Sequence, residues 1–563
     1  MPTWDDSVDF VIVGSGGGGM VAALAAADSG LRPVVIEKQQ YLGGSTAMSG
    51  GVIWMPNNPL MRADGVPDSY ADALAYFDAV VGPPDRGSSL ARREAFLTCG
   101  VEMISFMRRN GVKLIRCEGF SDYYDNRQGG STRGRSVEGI PWDGRQLGEW
   151  QSRIQPGMSR AIGLAVKTNE LRSLPAFLRS RQAFATSARV LFRSYLGRLR
   201  GQDLFTNGMS LIGQLTKVAL DAGIPIWTNT GVQELIVEDG RVTGVRAERD
   251  GSSVRIRGHR GVLLAAGGFE RNAEMRRKYS ADTKPNEAQW TRANLGNTGE
   301  VLNAAIAIGA DTDYMDEAVW NPQPRPELAV STLSTARQYP HAIFVNRRGR
   351  RFCNEAGSYV EIGQAMYAND AVPAWLIFDD NYRRRYPLAS GFRNLRSIPK
   401  ALPGRMPQEW VDNGWLRKAD SLSELARIIG ADPQTLTDTV RRYNAGARTG
   451  SDPEFGRGES QHNRSVGDPG NKVNPSVGPL DKPPFYATEV FPGDVGTSGG
   501  VLADEHARVL DNSDRPIPGL YATGNMSATV MGRTYPGAGA SIANTMVFGY
   551  VAARHAATGD SQA

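Results

Sequence analysis

Cysteine is nearly missing from these 563 residues: Cys99, Cys117 and Cys353 are the full set, and none stands in a Cys-x-x-Cys pair. That excludes a disulfide framework and a cysteine zinc site. Histidine is almost as scarce, with five residues isolated from one another in sequence, so neither a metal centre nor a histidine general base is expected. No run of about 18 apolar residues occurs, which leaves no segment to span a membrane. Charge of one sign is lacking overall: 64 Lys+Arg against 59 Asp+Glu gives +5, too even a balance for a nucleic-acid binder. The opening Met1-Pro2-Thr3-Trp4-Asp5-Asp6 has no apolar segment, so no secretory signal and a cytoplasmic location are expected. With 40% hydrophobic and 22% charged residues, the composition excludes disordered and collagen-like chains.

Glycine is in excess, 65 of 563 residues or about 11.5% against a usual value near 7%, which argues for tight turns and close backbone approaches to a ligand. The length exceeds one ordinary hydrophobic core. Asp9-Phe10-Val11-Ile12-Val13 is an unbroken apolar run of the kind a buried parallel strand shows. It enters Gly14-Ser15-Gly16-Gly17-Gly18-Gly19 and then an alanine-rich helix. Gly14, Gly16 and Gly19 have G-x-G-x-x-G spacing: the first turns the chain, the second admits a pyrophosphate, and the third lets helix pack on strand. The helix N-terminus turns its dipole and free N–H groups toward phosphates. A second strand, Pro33-Val34-Val35-Ile36, ends at Glu37, whose carboxylate suits a ribose 2′-OH.

Further along, Gly43-Gly44-Ser45-Thr46 and Ser49-Gly50-Gly51 are small residues suited to wrapping extended phosphates and an isoalloxazine. Gly261-Val262-Leu263-Leu264-Ala265-Ala266-Gly267-Gly268 is an apolar strand ending in small residues, and Gly519-Leu520-Tyr521-Ala522-Thr523-Gly524-Asn525 a strand ending in a Gly-Asn turn. In this order the strings resemble the FAD domain of the fumarate-reductase-type flavoproteins. The resemblance implies an α/β fold, with a Rossmann-like FAD-binding domain split in sequence (1–301 and 496–563) and an inserted α+β catalytic domain (302–495). It implies cofactor contacts from Gly14, Ser15, Gly16, Gly17, Gly19, Glu37, Lys38, Gly44, Ser45, Ser49, Gly50, Gly51, Val232, Ala265, Ala266, Gly267, Gly524, Asn525, Ser541 and Ile542. No histidine stands in segment 43–51, where relatives with covalently attached flavin carry one, so the FAD is expected to be non-covalent.

Within the inserted region, 374–379 reads as a strand, 422–445 as a helical stretch, and 450–482, rich in Gly, Pro, Ser and Asn, as a long irregular excursion. A basic insertion occupies about 150–205. Its part 171–200 carries Arg172, Arg179, Arg181, Arg189, Arg193, Arg198 and Arg200 among Leu, Phe, Val and Tyr, without one acidic residue. Such a stretch suits an anionic membrane surface, here the inner face of the cell membrane; the plainer reading is a basic face packed on its own protein. Gly496-Thr497-Ser498-Gly499-Gly500 matches the nucleophile-elbow string but lacks the apolar strand an elbow needs, so it is read as accidental.

The strings Gly524-Asn525-Met526-Ser527-Ala528-Thr529-Val530-Met531-Gly532-Arg533-Thr534-Tyr535-Pro536-Gly537-Ala538-Gly539, Phe120-Ser121-Asp122-Tyr123-Tyr124 and Arg351-Phe352-Cys353-Asn354-Glu355-Ala356-Gly357-Ser358-Tyr359 resemble those of the bacterial 3-ketosteroid Δ1-dehydrogenases. The resemblance covers nearly the whole chain apart from the insertion, and departs from the family at Ala540-Ser541-Ile542-Ala543-Asn544, where relatives show a Leu-Gly pair. It implies that the Tyr535 hydroxyl and the Gly539 N–H hold a steroid C3 carbonyl, as an oxyanion hole does. It further implies that Tyr359 removes the C2 proton with support from Tyr123, that the C1 hydride passes to flavin, and that Phe120 and Trp320 line the pocket. Implied partners are a 3-ketosteroid and an external electron acceptor such as a quinone. Three other functions remain open: a fumarate-reductase-like enoate reductase, for which Arg533 is the relevant residue; a 3-ketosteroid Δ4-(5α)-dehydrogenase; and a non-catalytic flavin-bearing protein of the membrane surface.

Overall fold

Strands whose side chains are apolar on both faces have to be covered on both faces, and Phe10, Val11, Ile12 and Val13, with Val34, Val35, Ile36, Val262, Leu263 and Leu264, are all buried. The computed structural model describes residues 4–158, 160, 163–177, 179–280, 286–324, 336–388 and 403–559. Its main sheet sets five parallel strands in the order Ile226–Trp227, Pro33–Ile36, Asp6–Val13, Ser252–Leu264 and Pro516–Ala522. The register Val11↔Val34, Val11↔Val262 and Val262↔Leu520 brings the C-terminal strand ends to one edge. The chain builds outward on one side of Asp6–Val13 and then crosses to the other, so a crevice opens beyond that strand, where doubly wound sheets bind ligands. The hairpin Thr230–Glu238 and Arg241–Arg249 adds antiparallel to Ser252–Leu264. Helix Gly17–Asp28 is covered by helix Ala540–Thr558, so the two ends of the chain share one layer.

A second, antiparallel sheet sets Gln323–Pro324, Phe485–Phe491, Ala374–Phe378 and Ala342–Val345 side by side, with Arg417–Ala419 also on Phe485–Phe491. Its inward residues Phe344, Leu376, Phe378 and Val490 form a separate core with Tyr382 and Tyr386. The fold is thus α/β with a Rossmann-like sheet and an α+β unit.

Two expectations gain detail here. The stretch 422–445 is helical, as two helices, Leu422–Ile429 and Pro433–Ala447. Gly430 ends the first in a left-handed conformation (φ 75°), and the Asp432 carboxylate accepts the Thr435 N–H at 2.7 Å to start the second, with Pro433 at its first position. The excursion 450–482 is irregular except for the short helix Gln461–Val466, capped by Ser460.

The basic stretch also differs from a uniformly charged face. Arg172 lies 3.8 Å over the Phe120 ring, Arg179 pairs with Asp468 at 3.0 Å, and Arg193 bonds Glu170 at 3.1 Å. These arginines turn onto the protein, using acids that lie outside residues 171–200. Helix Arg181–Leu199 instead presents Phe184, Leu191, Phe192, Tyr195 and Leu199 outward, each between 57% and 66% exposed. Spaced by seven, one, three and four residues, they share one face of the helix. Among the described residues, no helix is long and apolar enough to cross a membrane.

Candidate active site

The first strand ends at Gly14, whose φ of 108° and distance of 2.3 Å from a would-be Cβ to the Ala265 carbonyl oxygen leave no room for a side chain. Gly14 N–H donates to the Ile36 carbonyl at 2.8 Å, tying the turn to the second strand. Helix Gly17–Asp28 then starts with its N-terminus facing the crevice, and Gly17 N–H donates to Thr46 Oγ1 at 3.2 Å. Glu37, at the tip of the second strand, is buried and accepts from Ser15 N–H (3.1 Å), Ser15 Oγ (2.7 Å) and Gln39 N–H (3.0 Å). Burial pushes its carboxyl up, and those hydrogen bonds work against it by favouring the carboxylate.

These groups line a cavity of about 1010 Å³. Gly14, Ser15, Gly16, Gly17, Glu37, Lys38, Gly44, Ser45, Ser49, Gly50, Gly51, Val232, Ala265, Ala266, Gly267, Gly524, Asn525, Ser541 and Ile542 all face it. Gly19 does not: it lies beneath the turn, where a Cβ would stand 2.0 Å from the Gly14 carbonyl oxygen, so it serves helix–strand packing. A buried carboxylate at one end, a helix N-terminus beyond it and walls of Gly, Ser and Ala fit an extended FAD. Thr46, from the small-residue string 43–46, also lines the cavity, and sequence reasoning missed Arg292, Asn294 and Asn297, which do so too. Asn294 N–H donates to Ser45 Oγ at 3.0 Å, a contact across 249 residues that no local pattern signals.

The same cavity runs on to three tyrosines. Tyr359 opens helix Tyr359–Ala368. Tyr123 lies in a loop whose N–H donates to the Pro536 carbonyl at 2.9 Å, an oxygen that also accepts the Tyr76 hydroxyl at 2.7 Å. Trp54 N–H to the Gly539 carbonyl (3.2 Å) and Ser136 Oγ to the Ala538 carbonyl (2.9 Å) pin the rest of that string. Ring centroids stand 5.5 Å apart for Tyr123–Tyr359, 5.3 Å for Tyr359–Tyr535 and 5.9 Å for Tyr123–Tyr535. Gly539 caps helix Ala540–Thr558 with φ 96°, and the Tyr535 hydroxyl sits 3.0 Å from Ser541 Oγ in the first turn. The first N–H groups of a helix have no intrahelical partner. A phenol and a helix N-terminus therefore converge on one stretch of apolar wall, an arrangement able to hold a developing oxyanion. Burial pushes the Tyr359 phenol well above its usual value near 10 and raises Tyr123 to about 12.

Phe120 and Trp320 do not line the cavity. Phe120 packs with Val52, Cys117 and Ala538 under the Arg172 guanidinium. Trp320 turns its indole to Glu317, donating at 2.9 Å, and lies edge-on to Tyr367, while its neighbours Val319 and Asn321 reach the cavity. Arg533 is held by Asp316 at 2.9 Å and Glu317 at 3.1 Å and does not reach the cavity, which among the described residues has no histidine lining it. That is a poor constellation for binding a dicarboxylate and donating a proton to it.

Comparison with known proteins identifies the family. The FAD binding domain family matches residues 9–542. The chain is 40% identical over 562 residues to a 3-oxosteroid 1-dehydrogenase of Mycolicibacterium smegmatis, covering 97% of this chain and 96% of that one. It is 34% identical to a 4-oxocyclohex-2-ene-1-carboxylate 5-dehydrogenase of Sinomonas cyclohexanicum, covering 98% and 93%. The crystal structure of 3-ketosteroid delta1-dehydrogenase from Sterolibacterium denitrificans, in complex with 1,4-androstadiene-3,17-dione, superposes with a TM-score of 0.89 at 36% identity, covering 98% of this chain and 99% of that one. The chain belongs to the 3-oxosteroid 1-dehydrogenase family of FAD-binding oxidoreductases.

Proposed function

We propose that this enzyme introduces the 1,2 double bond into 3-ketosteroids with non-covalent FAD, and that its site residues act as follows. The Tyr535 hydroxyl and the Gly539 N–H hold the C3 carbonyl oxygen, which acidifies C2 and stabilises the enolate that forms there. Tyr359 takes the C2 proton, and Tyr123 supports the charge on that phenol. Bound FAD supplies the hydride acceptor for C1, and an external acceptor such as a quinone reoxidises it. The observation that carries the reading is the convergence of Tyr123, Tyr359, Tyr535 and Gly539 on the cavity that also holds the dinucleotide cradle. The division at 301/302 and 495/496 belongs to the same reading, since it separates the parallel sheet from the antiparallel one.

A relative that desaturates a one-ring keto acid makes a smaller substrate the second reading. The cavity's extension past Leu164, Leu171, Leu174, Phe177 and Val190 favours the steroid, because a short carboxylate has no use for so much apolar wall. Anaerobic titration of the oxidised holoenzyme with androst-4-ene-3,17-dione tests the assignment: bleaching of the long-wavelength flavin band without added donor supports it. Bleaching by 4-oxocyclohexanecarboxylate alone would replace it, and no bleaching by either would leave a flavin-bearing binding protein.

Membrane contact through residues 171–200 belongs to this proposal. Leu191 is 57% exposed yet also lines the cavity, so the outward apolar face adjoins the substrate's route. Arg181, Arg189, Arg198 and Arg200 are exposed around that face. Each cation near an anionic leaflet contributes on the order of 1 kcal/mol, screened by salt. Co-sedimentation with anionic vesicles at low salt, weakened by Phe184→Ser with Phe192→Ser, is expected; recovery of the parent protein in the supernatant would refute it.

A further inference from the structure

The buried charges behind the base do not balance. Arg351 grips Glu355 at 2.9 and 2.8 Å and Asp452 at 2.7 and 2.7 Å. Arg457 bonds Glu355 at 3.0 Å and donates to the carbonyls of Ala342 and Tyr339, at 2.7 Å each, and of Arg337, at 3.2 Å, while its Nε, too, is without a partner among the described residues. Among the described residues Arg337 completes the group without a carboxylate: it donates to the carbonyls of Glu355 and, at 3.2 Å, of Gly357, while its Nε has no hydrogen-bond partner there. All five side chains are buried, none more than 5% exposed. Among the described residues three guanidiniums thus face two carboxylates, and the odd cation is Arg337, 1% exposed. Burying a cation without a counter-charge is costly, so a fold that keeps one gains by having a negative charge form beside it.

The acidic groups that feel the charge of Arg337 are Cys353, Tyr123 and Tyr359, with Arg457 and the His462 imidazole also near it. Burial keeps the Cys353 thiol neutral. Around Tyr123 stand Tyr535, Arg172 and His462, whose ring lies 4.6 Å from that of Tyr123 and whose imidazole is held neutral by burial and the two arginines. Tyr359 faces the other two phenols. The remaining site for a negative charge is the phenol pair itself. The two carbonyls that Arg337 grips belong to the turn immediately before Tyr359, so the same side chain also fixes where that phenol emerges.

We propose that Arg337 is a positioning residue for the tyrosine base: it fixes the turn that delivers Tyr359, and its unneutralised charge stabilises the phenolate of the Tyr359–Tyr123 pair. This rests on the desaturase reading above. The pair first loses one proton to solvent. In the step itself the C2–H bond breaks, its electron pair enters the enolate, and the proton passes to Tyr359 Oη. The cation then faces a neutral phenol again, which resets the site.

The test is the pH dependence of steroid turnover by the holoenzyme, with androst-4-ene-3,17-dione and a dye acceptor. Arg337→Met should move the ascending limb of kcat/KM by about one unit or more toward alkaline pH, a loss of about tenfold at neutral pH. Arg337→Lys keeps the charge and loses the two-carbonyl grip, so its plateau should fall while its limb stays within about half a unit of the parent. Cys353→Asp leaves Arg337 in place and cancels the surplus, so it should reproduce the alkaline displacement even if Arg337→Met does not fold. An unmoved limb in Cys353→Asp, or equal displacement in Arg337→Lys and Arg337→Met, would overturn the proposal. A parent enzyme that does not turn over the steroid would instead overturn the reading on which it rests.

Discussion

Gly539→Ala is the sharpest probe of the carbonyl site, because the structure states what one methyl group would meet there. A Cβ on Gly539 would lie 2.2 Å from the Val52 carbonyl oxygen, 2.5 Å from its carbon and 2.9 Å from Ile53 N. All three are backbone atoms of strand Val52–Trp54, which pairs along its length with Ser136–Gly139 and cannot yield like a side chain. Reaching even 3.0 Å requires the gap to open by about 0.8 Å, so the string 535–539 has to shift. The φ of 96° adds the strain of an L-residue in a left-handed conformation, about 1–2 kcal/mol. A misplacement near 1 Å at a reacting centre costs about a hundredfold in rate. The expected result is a kcat about a hundredfold lower and weaker binding of the 1,4-diene-3-one product, with flavin content retained, since only Ser541 and Ile542 of the cradle adjoin this string in the chain and the residues from Gly14 to Lys38 and from Ala265 to Gly267 do not. Steady-state kinetics, product titration and the flavin-to-protein ratio measure these three quantities. A folded, flavin-loaded variant with kcat within about threefold of the parent would show that the Gly539 N–H does not hold the carbonyl.

Tyr359→Phe should abolish turnover while flavin and steroid binding persist; more than about a tenth of the parent kcat would remove Tyr359 from the role of base. Tyr535→Phe deletes one of two carbonyl donors and should lower kcat by about 10²-fold, and an unchanged rate would place the carbonyl elsewhere. Because Tyr359 is raised well above 10 and Tyr123 to about 12, the phenolate is scarce at neutral pH, so the rate should rise toward alkaline pH; an optimum below about 6 would contradict a phenol base. The same shifts bear on stability. Phenols raised in the folded state stabilise it fully below their unfolded value near 10, and that contribution disappears as pH climbs toward about 12, so Tyr123→Phe should lessen the alkaline loss of stability in denaturant titrations.

What could be read from the sequence was what local physics decides. Strand, glycine turn, helix and Glu37 form within 30 residues, and each needs particular residue types at its position. The break at Gly430 was equally local, since Gly, Asp432 and Pro433 are stop and start signals in order; the helical periodicity on both sides concealed it. Orientation was not legible. A matched position says that an aromatic stands at 320, not that its indole turns away to Glu317. Composition reports seven arginines in 171–200, not that Arg172, Arg179 and Arg193 turn inward to Phe120, Asp468 and Glu170.

The charge behind the base is the deepest case of that limit. A pocket for a nearly apolar substrate has to be dry, and dryness raises the phenols that must ionise within it. Seen alone, Tyr359 ionises less readily in this fold than in water. The offset comes from residues far apart in the chain: Arg337 borders the turn before Tyr359, while Asp452 and Arg457 arrive from an irregular excursion beyond 450. Neutralising Arg337 with a third carboxylate would make the fold more comfortable and the phenolate scarcer. On this proposal the surplus cation belongs to the site rather than to the scaffold, and the excursion holds its backbone through Arg457, which donates to the Arg337 carbonyl at 3.2 Å.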